Sequence, residues 1–332
     1  MFKYDILNSD ANSFSVENQF GQAVLEGLSK KNKCLPSWLI FDNRGSEIFK
    51  EITESPEYLP AVCEFEIFNN HINKITDLVS KQPFNLIELG SGDGGKTQLL
   101  IKDIIKNRID LTYYPIDISE GAIRHLVKTL KSKYKNTAIK VNGLVGDYFV
   151  GLKHLTRKTD HRNLVLFLGV TLNNMSPSDA GIFLKKLHKT LNKKDLLLIG
   201  FDLIKNPKII HNAYNDSKGL FERFNLYLLD RINEVLGGNF EKEFFVHQGH
   251  YNPKIHALES YLYSTKKQYV HIRDLNKDFK FQAWEGIKTE QSYKFNQEKI
   301  NLIAKNNGFK VIKELNPYKK NCPWHCCVGF YK

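Results

Sequence analysis

Residues 85–99, N-L-I-E-L-G-S-G-D-G-G-K-T-Q-L, constrain this chain more than any other stretch. The short apolar run Leu86, Ile87 and Leu89 predicts a buried strand, and it ends in a turn carrying Gly90, Gly92, Gly94 and Gly95. Leu99, Leu100, Ile101, Ile104 and Ile105 then recur at helical spacing. Glycines let the backbone turn sharply and let a ligand approach the peptide groups. The helix that follows offers N–H groups with no intrahelical acceptor. A strand, a glycine turn and a helix start in that order open a βαβ unit, and with it an open α/β sheet.

A glycine turn alone does not name its ligand; the neighbouring strand ends do. Glu88 stands just before the turn, in E-L-G-S-G. A second apolar strand, Y-Y-P-I-D, ends in Asp117, and a third, K-V-N-G-L-V, runs into Asp147 and Tyr148. An acid at the second strand end can accept hydrogen bonds from both hydroxyls of a ribose. An acid beside an aromatic ring at the third suits an adenine amino group and ring face. Phosphate-loop and dinucleotide readings are set aside, and the three strand ends together predict an S-adenosylmethionine (SAM) site.

From about residue 84 to 202 strands and helices alternate, the rhythm of a parallel, doubly wound sheet with right-handed crossovers. Within this run Ile182, Phe183, Leu187 and Leu191 follow a Ser-Pro-Ser start at helical spacing. After Asp202 the rhythm breaks. Helices are expected at residues 208–214 and 220–236, then A-L-E-S-Y-L-Y-S-T and Y-V-H-I alternate apolar and polar residues as an antiparallel hairpin would. A helix at residues 296–307 and two closing strands, F-K-V-I-K-E-L and H-C-C-V-G-F-Y, resume the sheet pattern. The expected organisation is a helical segment over residues 1–61 contributing to a substrate lobe, a cofactor core over 62–202, an inserted substrate lobe over 203–294, and a return to the core over 295–332.

The net charge of +12 comes from lysines scattered singly and in pairs along 332 residues, with no block of like charge. That distribution speaks against a nucleic-acid partner. No run approaches the roughly 20 apolar residues of a membrane span, and the first residues lack the basic start and apolar core of a secretory signal. Five cysteines, an odd number, fit a reducing cytoplasm. Cys322, His325, Cys326 and Cys327 are soft donors, but residues 324–331 read as a strand whose adjacent side chains diverge, so no metal is expected.

Four longer stretches carry a resemblance to a family. They are F-D-N-R-G-S-E-I-F-K-E-I-T-E-S-P-E-Y-L-P (41–60), L-F-L-G-V-T-L-N-N-M-S-P (166–177), F-D-L-I-K-N-P-K-I-I-H-N-A-Y-N-D (201–216) and I-K-T-E-Q-S-Y-K-F (287–295). In that order the chain resembles the histidine-specific N-alpha-methyltransferases of ergothioneine biosynthesis, from about residue 25 to 330. The resemblance implies a class I SAM-dependent methyltransferase fold, Rossmann-like with a seven-stranded sheet, bearing an inserted α+β substrate-binding lobe. It implies SAM as methyl donor, S-adenosylhomocysteine as product, and a monomer acting on a small amino acid. Gly90 and Lys96 would lie around the methionine part of SAM with Gly169, Asp117 at the ribose, and Asp147 with Tyr148 at the adenine; Glu88 joins this cofactor set. Asn174 and Tyr214 would hold the substrate α-carboxylate and position the amine, with Tyr58 beside them, and these three are the catalytic candidates.

The resemblance further implies that Glu290 and Ser292 read the imidazole, since a ring N–H donates to a carboxylate and the other nitrogen accepts from a hydroxyl. Two positions depart from the family pattern. Phe41 stands where a tyrosine is usual, and Ser260 stands where a larger apolar residue tends to border the side-chain pocket. Three successive transfers to histidine would give the trimethylammonium betaine hercynine. The alternative is N-methylation of another free amino acid.

Overall fold

The computed structural model describes residues 1–7, 16–79, 82–156, 161–317 and 325–331. Strand β1 (Phe2–Ile6) precedes helices α1 (Val16–Ser29), α2 (Asn43–Glu54) and α3 (Leu59–Thr76). An alternating run follows: β2 (Phe84–Leu89), α4 (Gly95–Lys106), β3 (Leu111–Asp117), α5 (Glu120–Tyr134), β4 (Lys140–Val145), α6 (Tyr148–Thr156), β5 (Arg162–Phe167), α7 (Pro177–Thr190) and β6 (Leu196–Asp202). Helices α8 (Pro207–Tyr214) and α9 (Leu220–Leu236) lead to β7 (Phe245–Asn252), β8 (Ala257–Ser264), β9 (Gln268–Ile272), β10 (Lys277–Phe281) and β11 (Gly286–Tyr293). Helix α10 (Gln297–Asn306) and strands β12 (Lys310–Leu315) and β13 (His325–Tyr331) close the chain. Two compact units result. The first comprises Met1–Ala11, Leu59–Ile204 and Lys294–Lys332, and the second comprises Asn12–Tyr58 and Lys205–Tyr293.

The first unit holds an eight-stranded sheet in the order β1-β4-β3-β2-β5-β6-β13-β12. The first six strands run parallel, and β13 is antiparallel to both β6 and β12. Strand β2 is buried along its whole length, as a central parallel strand covered on both faces must be. Helix starts are capped by local chemistry: Ser119 Oγ accepts from Ala122 N at 3.2 Å, and Ser176 Oγ from Asp179 N at 3.1 Å with Pro177 at the first helical position. The sequence predicts seven strands; the eighth is β1, which pairs in register with β4 from Phe2↔Val141 to Ile6↔Val145. Residues 2–6 therefore belong to this sheet and not to the segment expected to serve a substrate lobe. In α7 the buried stripe is Ala180, Phe183, Leu184 and Leu187, while Ile182 is 64% exposed. Phe183 stacks on Phe167 at 4.8 Å, which turns Ile182 to the outer face.

The crossing points of this unit are tied by a buried ion pair. Lys294 Nζ lies 2.9 Å from Asp202 Oδ2, and both side chains are sealed from solvent. Phe295 N donates to Asp202 O (3.0 Å) and Ile204 N to Phe295 O (2.8 Å), so the outgoing and returning chains are stitched where residues 205–293 leave and rejoin. Removing one partner of such a pair costs about 3–5 kcal/mol, because the other charge is left buried alone.

The second unit sets α9 beside an antiparallel sheet in the order β11-β8-β7 and a separate two-stranded sheet, β10-β9. Phe221, Phe224, Tyr227, Leu228, Ile232 and Leu236 form the buried side of α9, and Gly237 at φ +62° ends it. The expected hairpin between residues 257–265 and 269–272 does not form. Both stretches are antiparallel strands, but β8 pairs with β7 and β11, and β9 pairs with β10. Alternation fixes which face a strand presents; it does not choose the partner.

Candidate functional site

The cofactor candidates gather at the carboxyl end of β2, where the strand order reverses between β3 and β5 and an open α/β sheet leaves a crevice. Gly90, Gly92 and Gly94 all adopt positive φ (+74°, +50° and +65°), a conformation L side chains rarely take. A Cβ at Gly90 would fall 2.8 Å from the Tyr148 hydroxyl, whereas one at Gly92 would meet nothing within 4 Å. The turn is thus packed beneath and open above, the shape a ligand needs to reach the backbone.

Asp117 closes one side. Its Oδ2 accepts from Gly92 N at 3.1 Å and its Oδ1 from Ser119 N at 3.0 Å, and the Ile118 backbone N–H also donates to the carboxylate. Burial pushes this carboxyl above its ordinary pKa against the pull of those backbone donors. Asp147 is exposed and caps α6, its Oδ1 accepting from Phe149 N (2.9 Å) and Val150 N (3.1 Å). Tyr148 stands between, its hydroxyl over Gly90 and its ring 6.1 Å from Phe167. Glu88 has a different place. It is buried, accepts from Thr97 Oγ1 at 2.7 Å and from the Tyr113 hydroxyl, and so locks β2 to β3 and to the first turn of α4. Desolvation raises its pKa to about 7.

Lys96 is ion-paired with Glu64, a residue sequence reading did not single out. Glu64 lies on α3, fully buried, and both its carboxylate oxygens accept from Gly169 N, at 3.0 and 2.9 Å. Its neighbour Phe65 is 48% exposed, the reverse of what side-chain polarity alone predicts. Gly169 has φ +75°, and Val170 follows at φ +52°, a β-branched residue in the left-handed region. Such strain marks functional turns. A short 3-10 helix, Thr171–Asn174, comes next. Its buried Asn173 donates to Asp202 O at 3.0 Å and fixes the turn, leaving Asn174 exposed.

The remaining substrate candidates lie in the second unit. Tyr214, at the end of α8, donates its hydroxyl to Ser292 Oγ on β11 at 3.0 Å. Tyr58 packs edge-on to Tyr214 with ring centres 5.9 Å apart and tilts against Phe221 at 5.4 Å. Phe41 packs on Phe49 (5.3 Å) and Phe224 (5.5 Å), extending the same aromatic cluster.

A β-bulge decides what β11 presents. Lys288 pairs with Tyr261 and Glu290 with Ser260, so Thr289 is the extra residue. Thr289 Oγ1 donates to Asn225 Oδ1 on α9. Without the bulge Glu290 would point to the opposite face from Ile287; with it, Glu290 shares a face with Ser260, its cross-strand partner, and with Ser292. Ser260 is buried with its Oγ without a protein partner, and the facing residue on β7 is Gly249, which adds no side chain. Sequence alternation alone could not place Glu290 and Ser260 together, because the bulge shifts the period.

The chain matches the family model described as "Histidine-specific methyltransferase, SAM-dependent" over residues 20–328. It belongs to that family. Histidine N-alpha-methyltransferase of Mycolicibacterium smegmatis is 32% identical over 279 residues, covering 83% of this chain and 84% of the relative. Ergothioneine biosynthesis protein 1 of Schizosaccharomyces pombe is 28% identical over 296 residues, 86% of this chain but 38% of that longer protein. A 4-dimethylallyltryptophan N-methyltransferase of Claviceps purpurea is 26% identical over 214 residues, 62% of this chain and 61% of the relative.

Membership makes the protein an enzyme that uses SAM, and makes its fold that of the class I methyltransferases. It also settles a point that spacing leaves open. In letters, residues 90–97 satisfy both G-x-G-x-x-G and the phosphate-cradling G-x-x-x-x-G-K-[ST], so spacing does not exclude either loop. The surroundings argue against a phosphate: Lys96 is engaged by a buried carboxylate, and Asp117 and Asp147 stand at the next strand ends. Among the described residues no group of three or more His, Cys, Asp or Glu is arranged to hold a metal. Cys322 and the side chains of residues 325–327, the soft donors noted in the sequence, lie outside the described set. No helix among the described residues is long and apolar enough to cross a membrane.

Proposed function

We propose that this enzyme transfers methyl groups from SAM to the α-amine of free L-histidine, three times in succession, giving hercynine. The observation that carries the histidine reading is the face shared by β11 and β8, where Glu290 and Ser292 stand two residues apart, a bulge sets Glu290 across from Ser260, and Tyr214 supports Ser292. A carboxylate and a hydroxyl two residues apart on one strand face suit the two nitrogens of an imidazole. In the first unit, Asp117 would take the ribose hydroxyls, Asp147 and Tyr148 the adenine, and Gly90, Lys96 and Gly169 the methionine part. Glu88 would act on the cofactor only through the α4 turn that it anchors. The cofactor supplies an electrophilic methyl group on a sulfonium. The protein supplies alignment, exclusion of water and selection of the unprotonated amine. Asn174 and Tyr214 would hold the α-carboxylate, and Tyr58 would relay the amine proton to water, its hydroxyl giving up its own proton as it takes one.

The same reading makes the protein a cytoplasmic monomer that acts on a small molecule, with no nucleic-acid partner; light scattering in solution tests the monomer. A second reading, N-methylation of another amino acid, is favoured by one observation, the buried Ser260 hydroxyl beside Glu290. Incubating the protein with SAM and a panel of free amino acids, read by mass, separates the two. Histidine gaining up to three methyl groups supports the proposal. Efficient turnover of a different amino acid with histidine untouched refutes it.

A further inference from the structure

We infer that Glu64 is a positioning residue for the methionine end of SAM, acting through Lys96 and Gly169. The inference rests on the cofactor reading of the β2–α4 turn. Its ground is a fully buried carboxylate that engages both of those residues. Both Glu64 oxygens accept from Gly169 N, at 3.0 and 2.9 Å, and one of them also takes the Lys96 ammonium. Glu64 comes from α3, Lys96 from the first turn of α4, and Gly169 from the turn after β5. One side chain therefore fixes two separate turns that flank the carboxyl end of β2.

The neighbours are arranged around it. A Cβ at Gly200 on β6 would collide with Glu64 Oε1, so the strand leaves the space that the carboxylate fills. Gly169 needs positive φ, and a backbone N–H held by a charged acceptor is a strong restraint on that conformation. Lys96 keeps a quarter of its side chain exposed. Its ammonium is paired with the Glu64 carboxylate, which orients the group. A Cβ at Gly169 would lie 4.0 Å from Lys96 Nζ, so the two groups border one opening. The SAM methionine part carries both a carboxylate and an ammonium. A cation held at fixed orientation beside the Gly169 turn suits that amino-acid part, and neither depends on the adenosine end.

That separation supplies the test. S-adenosylhomocysteine has the amino-acid part and 5′-methylthioadenosine lacks it, while both carry the same adenosine. Calorimetric titration of each into the full-length protein gives two dissociation constants per variant. Glu64→Gln keeps the shape and removes the charge, and should weaken S-adenosylhomocysteine about tenfold or more while leaving methylthioadenosine nearly unchanged. In a Lys96→Met background the same substitution should cost much less, because the two residues act as one unit. Equal weakening of both ligands, or of neither, overturns the inference, as does full additivity with Lys96→Met. Should Glu64→Gln not fold, Glu64→Asp carries the same comparison, with selective loss supporting the inference and any other pattern overturning it. Asp117→Asn is the control for the cofactor reading. It should weaken both ligands, and if it weakens neither, that reading fails whatever Glu64 does.

Discussion

The Tyr214 hydroxyl donates to Ser292 Oγ at 3.0 Å across 78 positions of sequence, and both side chains are buried. The bond ties the end of α8 to β11 and fixes where the Ser292 hydroxyl stands. Tyr214→Phe should therefore raise the KM for histidine about tenfold, in keeping with one lost hydrogen bond of roughly 1–2 kcal/mol. SAM affinity should be unaffected. An unchanged KM in steady-state kinetics would remove Tyr214 from the substrate site.

Glu290 should show a sharper version of the same separation. Sites built to hydrogen-bond a substrate reject analogues that lack the group, because buried polar atoms are then left unpaired. Glu290→Ala is expected to cut kcat/KM for histidine by about two orders of magnitude or more, with SAM binding by calorimetry unchanged. It should also narrow the preference for histidine over phenylalanine. Should histidine turnover survive the substitution, the imidazole-reading role is lost.

At position 41 the ring is kept and the hydroxyl is absent. Phe41 packs edge-on against Phe49 and Phe224, and these contacts do not require a polar atom. Phe41→Tyr should restore one hydrogen bond toward the amine and lower the KM for histidine by about three- to tenfold, the equivalent of roughly 0.5–1.5 kcal/mol. Binding of unmethylated and methylated histidines to the two proteins, compared by calorimetry, checks it. A weaker-binding Phe41→Tyr variant would count against the placement.

Glu88 gives the protein a pH signature. Its pKa in the folded protein is raised to about 7 from an ordinary 4.5, chiefly by desolvation. A raised carboxyl favours the protonated folded state, so its contribution is fully present below the ordinary value and is lost as pH climbs through about 7. The window is pH 4.5 to 7, and the loss is about 3 kcal/mol across it. Glu88→Gln does not titrate. Urea unfolding should therefore show the variant gaining on the wild type by about that amount between pH 4.5 and 8. A constant difference across that range would contradict the buried, protonatable state.

What the sequence made legible was local in character. Glycines before a helix, acids at strand ends and Asn, Ser or Pro at helix starts act over a few residues, so the β2–α4 turn, Asp117, Asp147 and the span of α9 could be read directly. Features set by distant pairing could not. Strand β1 joins the sheet through a partner some 140 residues away, and its short F-K-Y-D-I carries no marker of that pairing. The Thr289 bulge depends on Asn225 of another element. Glu64 reads as one of two glutamates on α3; Gly169, Lys96 and Gly200, from three other segments, are what it meets in the fold. Glu290 and Ser292 were named by motif, but their shared face with Ser260 is a product of the bulge and not of the period.

The position of β13 has a consequence for how this chain is made. Residues 325–331 form an inner strand, seated between β6 and β12, although they follow β6 by more than a hundred residues of sequence. On the ribosome, β6 is without the antiparallel neighbour it has in the finished sheet until that segment emerges. The first unit therefore completes its sheet only once that later segment is available, with an apolar strand edge open in the meantime. A stop codon ahead of residue 325 would remove this strand from the interior of the sheet, where loss of an edge strand would leave the inner pairing intact.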